Sequence, residues 1–377
     1  MKRIPLTIFA LQLAAAFPTH VRSRADNCSS LILDEAPDSP RPYVLRKGAG
    51  QAVQVGSQVY RFSVTGNSSA GAFTLMQTNA PDSTALGVLP HIHKAHYENF
   101  YCTKGRFQLW AENNVSGGQQ ARVLTPGDYG AVPEGTTHTF QITDPDTQMT
   151  GVIQPGGFEA LFLAIAQQGY SSVIGSEFVP ATFAELGLDP SVISSLESLD
   201  VFAELDFEPR RDLINGTAGT GNWHNGPNEP AQDSNTPNFI AKNYGPKYLN
   251  VDDGIYRVIA PFTANETGVS FTMGTITISP LLSNMTAPAM KTYAQPLAFQ
   301  MEEGALTVEV TGYSPVSLVQ GDVFFLPEDV SFTYYATAGF TKFLYVTGGD
   351  AGFESELMQR SASWDYATYP IAPGYTL

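Results

Sequence analysis

The sequence predicts an all-β protein made of two antiparallel double-sheet barrels joined by a partly helical linker, and three observations carry that prediction. Short runs of β-branched and aromatic residues, cut by Gly, Pro, Asn and Asp, recur at close spacing over residues 51–166 and again over 244–348. Between them the pattern shifts, first toward helical spacing and then toward a loop dense in Gly, Asn and Pro. The turn residues also repeat: Gly304 stands against Gly105, and Gly321-x5-Pro327 against Gly127-x5-Pro133. At 377 residues the chain is long enough for two cores of ordinary size.

The first 17 residues open with Lys2 and Arg3, continue through an apolar run broken only by Thr7 and Gln12, and contain Ala14, Ala15 and Ala16. This reads as a secretory signal peptide ending near residue 22, and its apolar run is too short to span a bilayer. Glycosylation sequons begin at Asn27, Asn67, Asn114, Asn215, Asn265 and Asn284, so the chain is expected to be a secreted, extracellular glycoprotein. Hydrophobic residues make up 43% and charged residues 15%, a globular composition. The formal net charge of -16 argues against nucleic acid or an anionic membrane surface as partner, because phosphates would be repelled. Cys28 and Cys102 could pair in an oxidising compartment; spacing alone leaves this open, and a reduced Cys102 would serve as a small buried hydrophobe.

After the leader, residues 26–47 are expected to form an extended arm that packs against a neighbouring sheet. Strands are expected at 53–64, 72–78, 99–103, 106–111, 121–124, 129–132, 137–142 and 149–153. Residues 176–205 read as helical, with Asp189-Pro190 offering a start, and 215–237 as a loop. A short helix is expected at 353–360. The resulting divisions are a first barrel over 23–170, a linker over 171–237 and a second barrel over 238–377.

The chemistry sits in His91-Ile-His93-x4-Glu98-x6-Gly105 and in Gly127-x5-Pro133-x-Gly135-x2-His138. Side chains two apart on a strand share a face, so His91 and His93 can point at one spot. Glu98 has the opposite parity, and a bend around residues 94–95 must bring it to the same side. Three imidazoles and one carboxylate then converge. The chain has six His, and His20, His96 and His224 fall outside the pattern, with His96 taken as solvated or as a neighbour of the ligands. Three neutral imidazoles and a carboxylate suit several divalent first-row metals, including Cu, Fe, Ni, Mn and Zn; the affinity order favours Cu(II) where it is available, and the donor set alone does not choose among them. On the repeat register Met290, Thr292, Leu297 and Phe332 replace His91, His93, Glu98 and His138, which leaves the second barrel without ligands.

The two motifs resemble the bipartite metal signature of the cupin superfamily, apart from Ile142 where Asn is common. Beyond them, the first half and the layout with an emptied second barrel look like the fungal quercetin 2,3-dioxygenase family. That resemblance implies two jelly-roll cupin domains, one Cu(II) ion, and flavonol and O2 as substrates. It implies His91, His93, Glu98 and His138 as metal ligands, with Glu98 also the catalytic base. It places Tyr60, Met76, Thr78, Phe100, Phe140, Met149, Ile153 and Phe158 around the flavonol. The reaction it implies opens the heterocyclic ring and releases carbon monoxide and a depside. A homodimer stays open. Two other readings compete: a secreted oxalate-type bicupin enzyme, which would want ligands in both barrels and an Arg near the metal, and a non-enzymatic storage or ligand-binding bicupin.

Overall fold

In the computed structural model the described residues are 30–113, 115–166, 168–171, 195–263, 267, 270–349, 352–366 and 369–370. The expected strand at 53–64 is a hairpin, Ala52–Val55 and Gln58–Val64, turned at Gly56. The later runs become Thr74–Ala80, Tyr97–Lys104, Phe107–Asn113, Gln119–Leu124, Tyr129–Val132, Thr136–Ile142 and Thr147–Gln154. They form an eight-stranded sheet, centred on the pairing of Thr147–Gln154 with Tyr97–Lys104, facing a six-stranded sheet centred on Thr136–Ile142. The second half repeats this with a nine-stranded and a three-stranded sheet. This is the cupin-type β fold.

The two halves exchange strands. Tyr43–Leu45, in the arm, pairs with Val323–Leu326 of the second barrel. Asn238–Ile240, which the sequence assigned to the second barrel, instead pairs with Tyr129–Val132 of the first. Each barrel is therefore closed by the strand that precedes the other one. The joints match in detail: the Asp128 carboxylate accepts from Lys242 N at 2.8 Å, and the Asp322 carboxylate from Lys47 N at 3.0 Å. Gly127 and Gly321 have φ of 97° and 88°, and a Cβ on either would lie 2.6 Å from the facing lysine side chain. Both glycines are dictated by conformation and by close approach.

Strands buried on both faces join the barrels. Glu98, Phe100 and Cys102 face the first barrel's interior, while Tyr97 and Tyr101 turn outward and pack with Phe271, Phe325 and Val346 of the second. Cys102 is a buried thiol; Cys28, the leader, and the sequons at Asn27, Asn114 and Asn265 lie outside the described residues. Most of the helical stretch expected at 176–205 also lies outside them. Its described end holds the 3-10 turn Glu197–Leu199 and the strand Phe202–Ala203. Residues 215–237 are loop apart from Thr217–Ala218. Helix α1, Glu159–Ile165, was not expected; helix α2, Phe353–Met358, was. No helix among the described residues is long and apolar enough to cross a membrane.

The repeat register needs one correction. His138 stands opposite His91, but Phe332 stands opposite Lys291, and Tyr293 O accepts from Asp329 N as His93 O does from Gly135 N. Lys291 and Tyr293, not Met290 and Thr292, are the counterparts of His91 and His93. One residue fewer separates Tyr293 from Leu297, and a slip of one residue turns each side chain to the other face. Met290 is 47% exposed, and the Thr292 hydroxyl pairs with Ser331 at the surface. Leu297 and Phe332 do fill the interior, around Phe299 and under Phe353 of α2. Beside Phe332, a pocket of about 20 Å³ between Asp252, Arg257, Lys291 and Tyr293 has room for a water at most.

Candidate metal centre

The first barrel brings its four predicted ligands together. His91 starts a two-residue strand held against His138, and His93 follows it. Residues 94–96 turn, and Glu98 enters the next strand between Val132 and Ile153. The bend restores the parity that Glu98 needs. One donor atom from each residue lies within 4.8 Å of all the others, and all four residues are buried. The Nε2 atoms of His91 and His93 are 3.2 Å apart, and Glu98 Oε2 is 3.3 Å from His93 Nε2 and 2.9 Å from His138 Nε2.

The opposite ring nitrogens define what the inner ones can do. His91 Nδ1 lies 2.6 Å from Leu89 O, His93 Nδ1 2.7 Å from Asp200 O, and His138 Nδ1 3.0 Å from Thr136 O. A carbonyl only accepts, so each Nδ1 carries the proton and each neutral ring presents an Nε2 lone pair to the cluster. Three lone pairs and a carboxylate aimed at one point repel one another unless a cation lies between them. The donor set fits a divalent metal, with each imidazole steered by a hydrogen bond on its far side.

Charge follows the same geometry. Burial, then His138 and His93, hold the His91 pKa well below the imidazole range. For Glu98, burial opposes the charge, but any proton taken up on the inner nitrogen of His138 or His93 would be donated to its carboxylate, and that prospect holds the carboxyl well below its usual range. His93 moves the other way, its burial outweighed by the same contact with Glu98.

Beside the cluster lies a cavity of about 230 Å³ with a mostly apolar wall. Tyr60, Met76, Thr78, Phe100, Phe140, Met149 and Phe158 line it, together with His91, Glu98 and His138. Ile153 does not: it is wholly buried behind the wall, paired with Glu98. Sequence reasoning missed the roof, made by Leu161, Phe162 and Ile165 of α1 and by Leu196 and Val201 of the linker. Phe158, Leu161, Phe162 and Ile165 do fall at one-face helical spacing, which was the available signal. Phe162 stacks on Tyr60 with centroids 4.2 Å apart. A larger polar cleft of about 850 Å³ runs between the barrels; it touches Thr78 and Met149 but none of the four clustered residues.

Asp200 was also missed. Besides its carbonyl contact with His93, its carboxylate receives hydrogen bonds from Lys94 N, Ala95 N and His96 Nδ1. Burial raises its pKa, but the His96 and backbone hydrogen bonds outweigh that and lower it. His96 is thus a half-buried neighbour of the cluster.

Fold and site together define a two-barrel cupin with a metal-ligand set in its first barrel. No family model matches the chain. The quercetin 2,3-dioxygenase of Aspergillus japonicus is 48% identical over 349 residues, covering 91% of this chain and 99% of that one. The quercetin 2,3-dioxygenase of Bacillus subtilis (strain 168) is 29% identical over 176 residues, 46% of this chain and 48% of that one. Among solved structures, the oxalate decarboxylase of Lactobacillus farciminis in its formate complex aligns with a TM-score of 0.51 and 12% identity, covering 88% of this chain and 90% of its own. A variant of Bacillus subtilis oxalate decarboxylase aligns at 0.50 and 15%, over 88% and 81%. At such identity these two show the fold alone. The chain belongs to the quercetin 2,3-dioxygenase family, and it is a ring-cleaving dioxygenase.

Proposed function

We propose that the first barrel holds one Cu(II) ion through His91, His93, Glu98 and His138, and that the cavity beside it takes a flavonol such as quercetin for cleavage by O2. One observation carries the reading: a convergent set of lone pairs opens directly into an apolar cavity. Dioxygen has a triplet ground state and reacts slowly with closed-shell molecules; a redox-active divalent metal held by these four residues would relieve that barrier by accepting electron density from the deprotonated substrate.

The protein's own residues then have distinct tasks. Glu98, at the cavity wall, is placed to take the proton of the flavonol 3-hydroxyl, whose acidity a bound metal would raise. Phe100, Phe140 and Phe158, with Met76 and Met149, hold the flat rings and keep water away from reactive species. O2 adds across C2 and C4 of the heterocycle, two carbon-carbon bonds break, and carbon monoxide and a depside leave. An oxalate-type reaction suits this wall poorly, because a small dianion wants a cationic clamp and no Arg or Lys lines the cavity among the described residues.

O2 uptake with quercetin, measured with carbon monoxide release and metal content, tests this reading. One metal ion per chain with O2 consumed and carbon monoxide released in equal amounts is the expected result; a metal-loaded protein inert toward flavonols would reject it. The leader, the sequons and the acidic charge support an extracellular enzyme. Expression in a secreting eukaryotic host should give a chain in the medium that starts near residue 23 and loses mass on endoglycosidase treatment.

A further inference from the structure

We propose that Asp200, in the linker, is a positioning residue for the metal site, fixing His93 through its carbonyl and the turn behind His93 through its carboxylate. This rests on the metal reading above.

The three imidazoles are not steered alike. His91 and His138 lean on carbonyls two residues away, those of Leu89 and Thr136, so the chain immediately around each one orients it. His93 leans on the carbonyl of Asp200, 107 residues along the chain. The hydrogen bond on its outer nitrogen therefore comes from the linker. Docking is secured at the same residue: one Asp200 oxygen accepts from Lys94 N at 2.9 Å, the other from Ala95 N at 2.9 Å and His96 Nδ1 at 2.6 Å. Three donors of one turn end on one carboxylate, and that turn is the bend that brings Glu98 to the side of the histidines.

Neighbouring contacts hold Asp200 in register. It ends the 3-10 turn Glu197–Leu199 in the left-handed region, φ 62°, which Asp tolerates better than most residues. Phe202 and Ala203 then pair with Ile92 and His91, and the Lys94 ammonium sits 3.5 Å above the Phe202 ring. Leu196 and Val201 of this segment roof the cavity. One stretch of linker thus covers the substrate site and aims a ligand of the metal.

Asp200→Gly is the informative variant, because glycine keeps the left-handed backbone and removes only the carboxylate. Asp200→Asn keeps the shape but turns an amide NH2 against a backbone N–H. Cu(II) affinity, measured by chelator competition, should weaken about 10- to 100-fold in the Gly variant and by less in the Asn variant, the range usual for lost outer-shell partners of metal ligands. The electron paramagnetic resonance spectrum of the Cu(II)-loaded Gly variant should show altered hyperfine splitting. A lower melting temperature with unchanged affinity and spectrum would mean that Asp200 only stabilises the loop, and would overturn the inference. Should the Gly variant fail to fold, the Asn variant decides by the same two readouts. Wild-type protein that takes up no first-row metal would remove the metal reading itself, and this inference with it, before any variant is compared.

Discussion

Each imidazole of the cluster has its outer nitrogen committed to a carbonyl, so the inner nitrogen has no proton to donate in the neutral ring. Removing one ring deletes a donor and leaves the others still convergent. His91→Ala, His93→Ala and His138→Ala should each lose bound metal and flavonol cleavage together, as read by metal analysis and O2 uptake. Glu98 differs because it is assigned two tasks. Glu98→Gln keeps an oxygen that can face the metal but cannot accept a proton at working pH, so turnover should fall by about 10²–10⁴-fold while much of the metal stays. Full turnover in Glu98→Gln would remove the base from the scheme. In the second barrel Leu297 and Phe332 stand where Glu98 and His138 stand in the first. Replacing either should leave metal content at the wild-type value.

At the scale of elements, the roof of the cavity is the part most open to test. Phe162 in α1 is 7% exposed and stacks on Tyr60, so it both packs the helix and shapes the site. Phe162→Ala should destabilise by about 3 kcal/mol, the low end for a buried phenylalanine because one side already meets the cavity. It should also raise KM for quercetin more than it lowers kcat, since the ring touches the substrate's space and not the reacting centre. Stopped-flow and steady-state kinetics on the folded variant read both. This roof was the part least legible in the sequence. The strands were plain because Gly and Pro bound them and because the motif residues alternate inward, as His138 and Phe140 do. Helix α1 is only seven residues long with no side-chain cap, and two turns of apolar spacing do not stand out from the barrel strands before them. Asp200 is invisible to pattern reading, because nothing local tells an aspartate in a linker that it will meet a histidine 107 residues earlier. The slip from Lys291 to Met290 arose likewise from a loop one residue shorter, which spacing counted from Leu297 cannot reveal.

At the scale of the whole molecule, the exchanged strands and the apolar seam between barrels make independent folding of the halves unfavourable. Cutting the chain at the sequence-based boundaries would strip Asn238–Ile240 from the first barrel and Tyr43–Leu45 from the second, leaving edge strands unpaired. It would also expose Tyr97, Tyr101, Phe271 and Phe325, all buried where the large sheets meet. An ion bound in the first barrel should therefore stabilise the second as well. Metal at 100 times its Kd adds about 2.7 kcal/mol to a state that alone binds it. Calorimetry of the full chain should show one transition, and a chelator should move that whole transition to lower temperature. Two resolved transitions, with only the first responding to the chelator, would show that the seam does not couple the barrels and that the sealed half folds by itself.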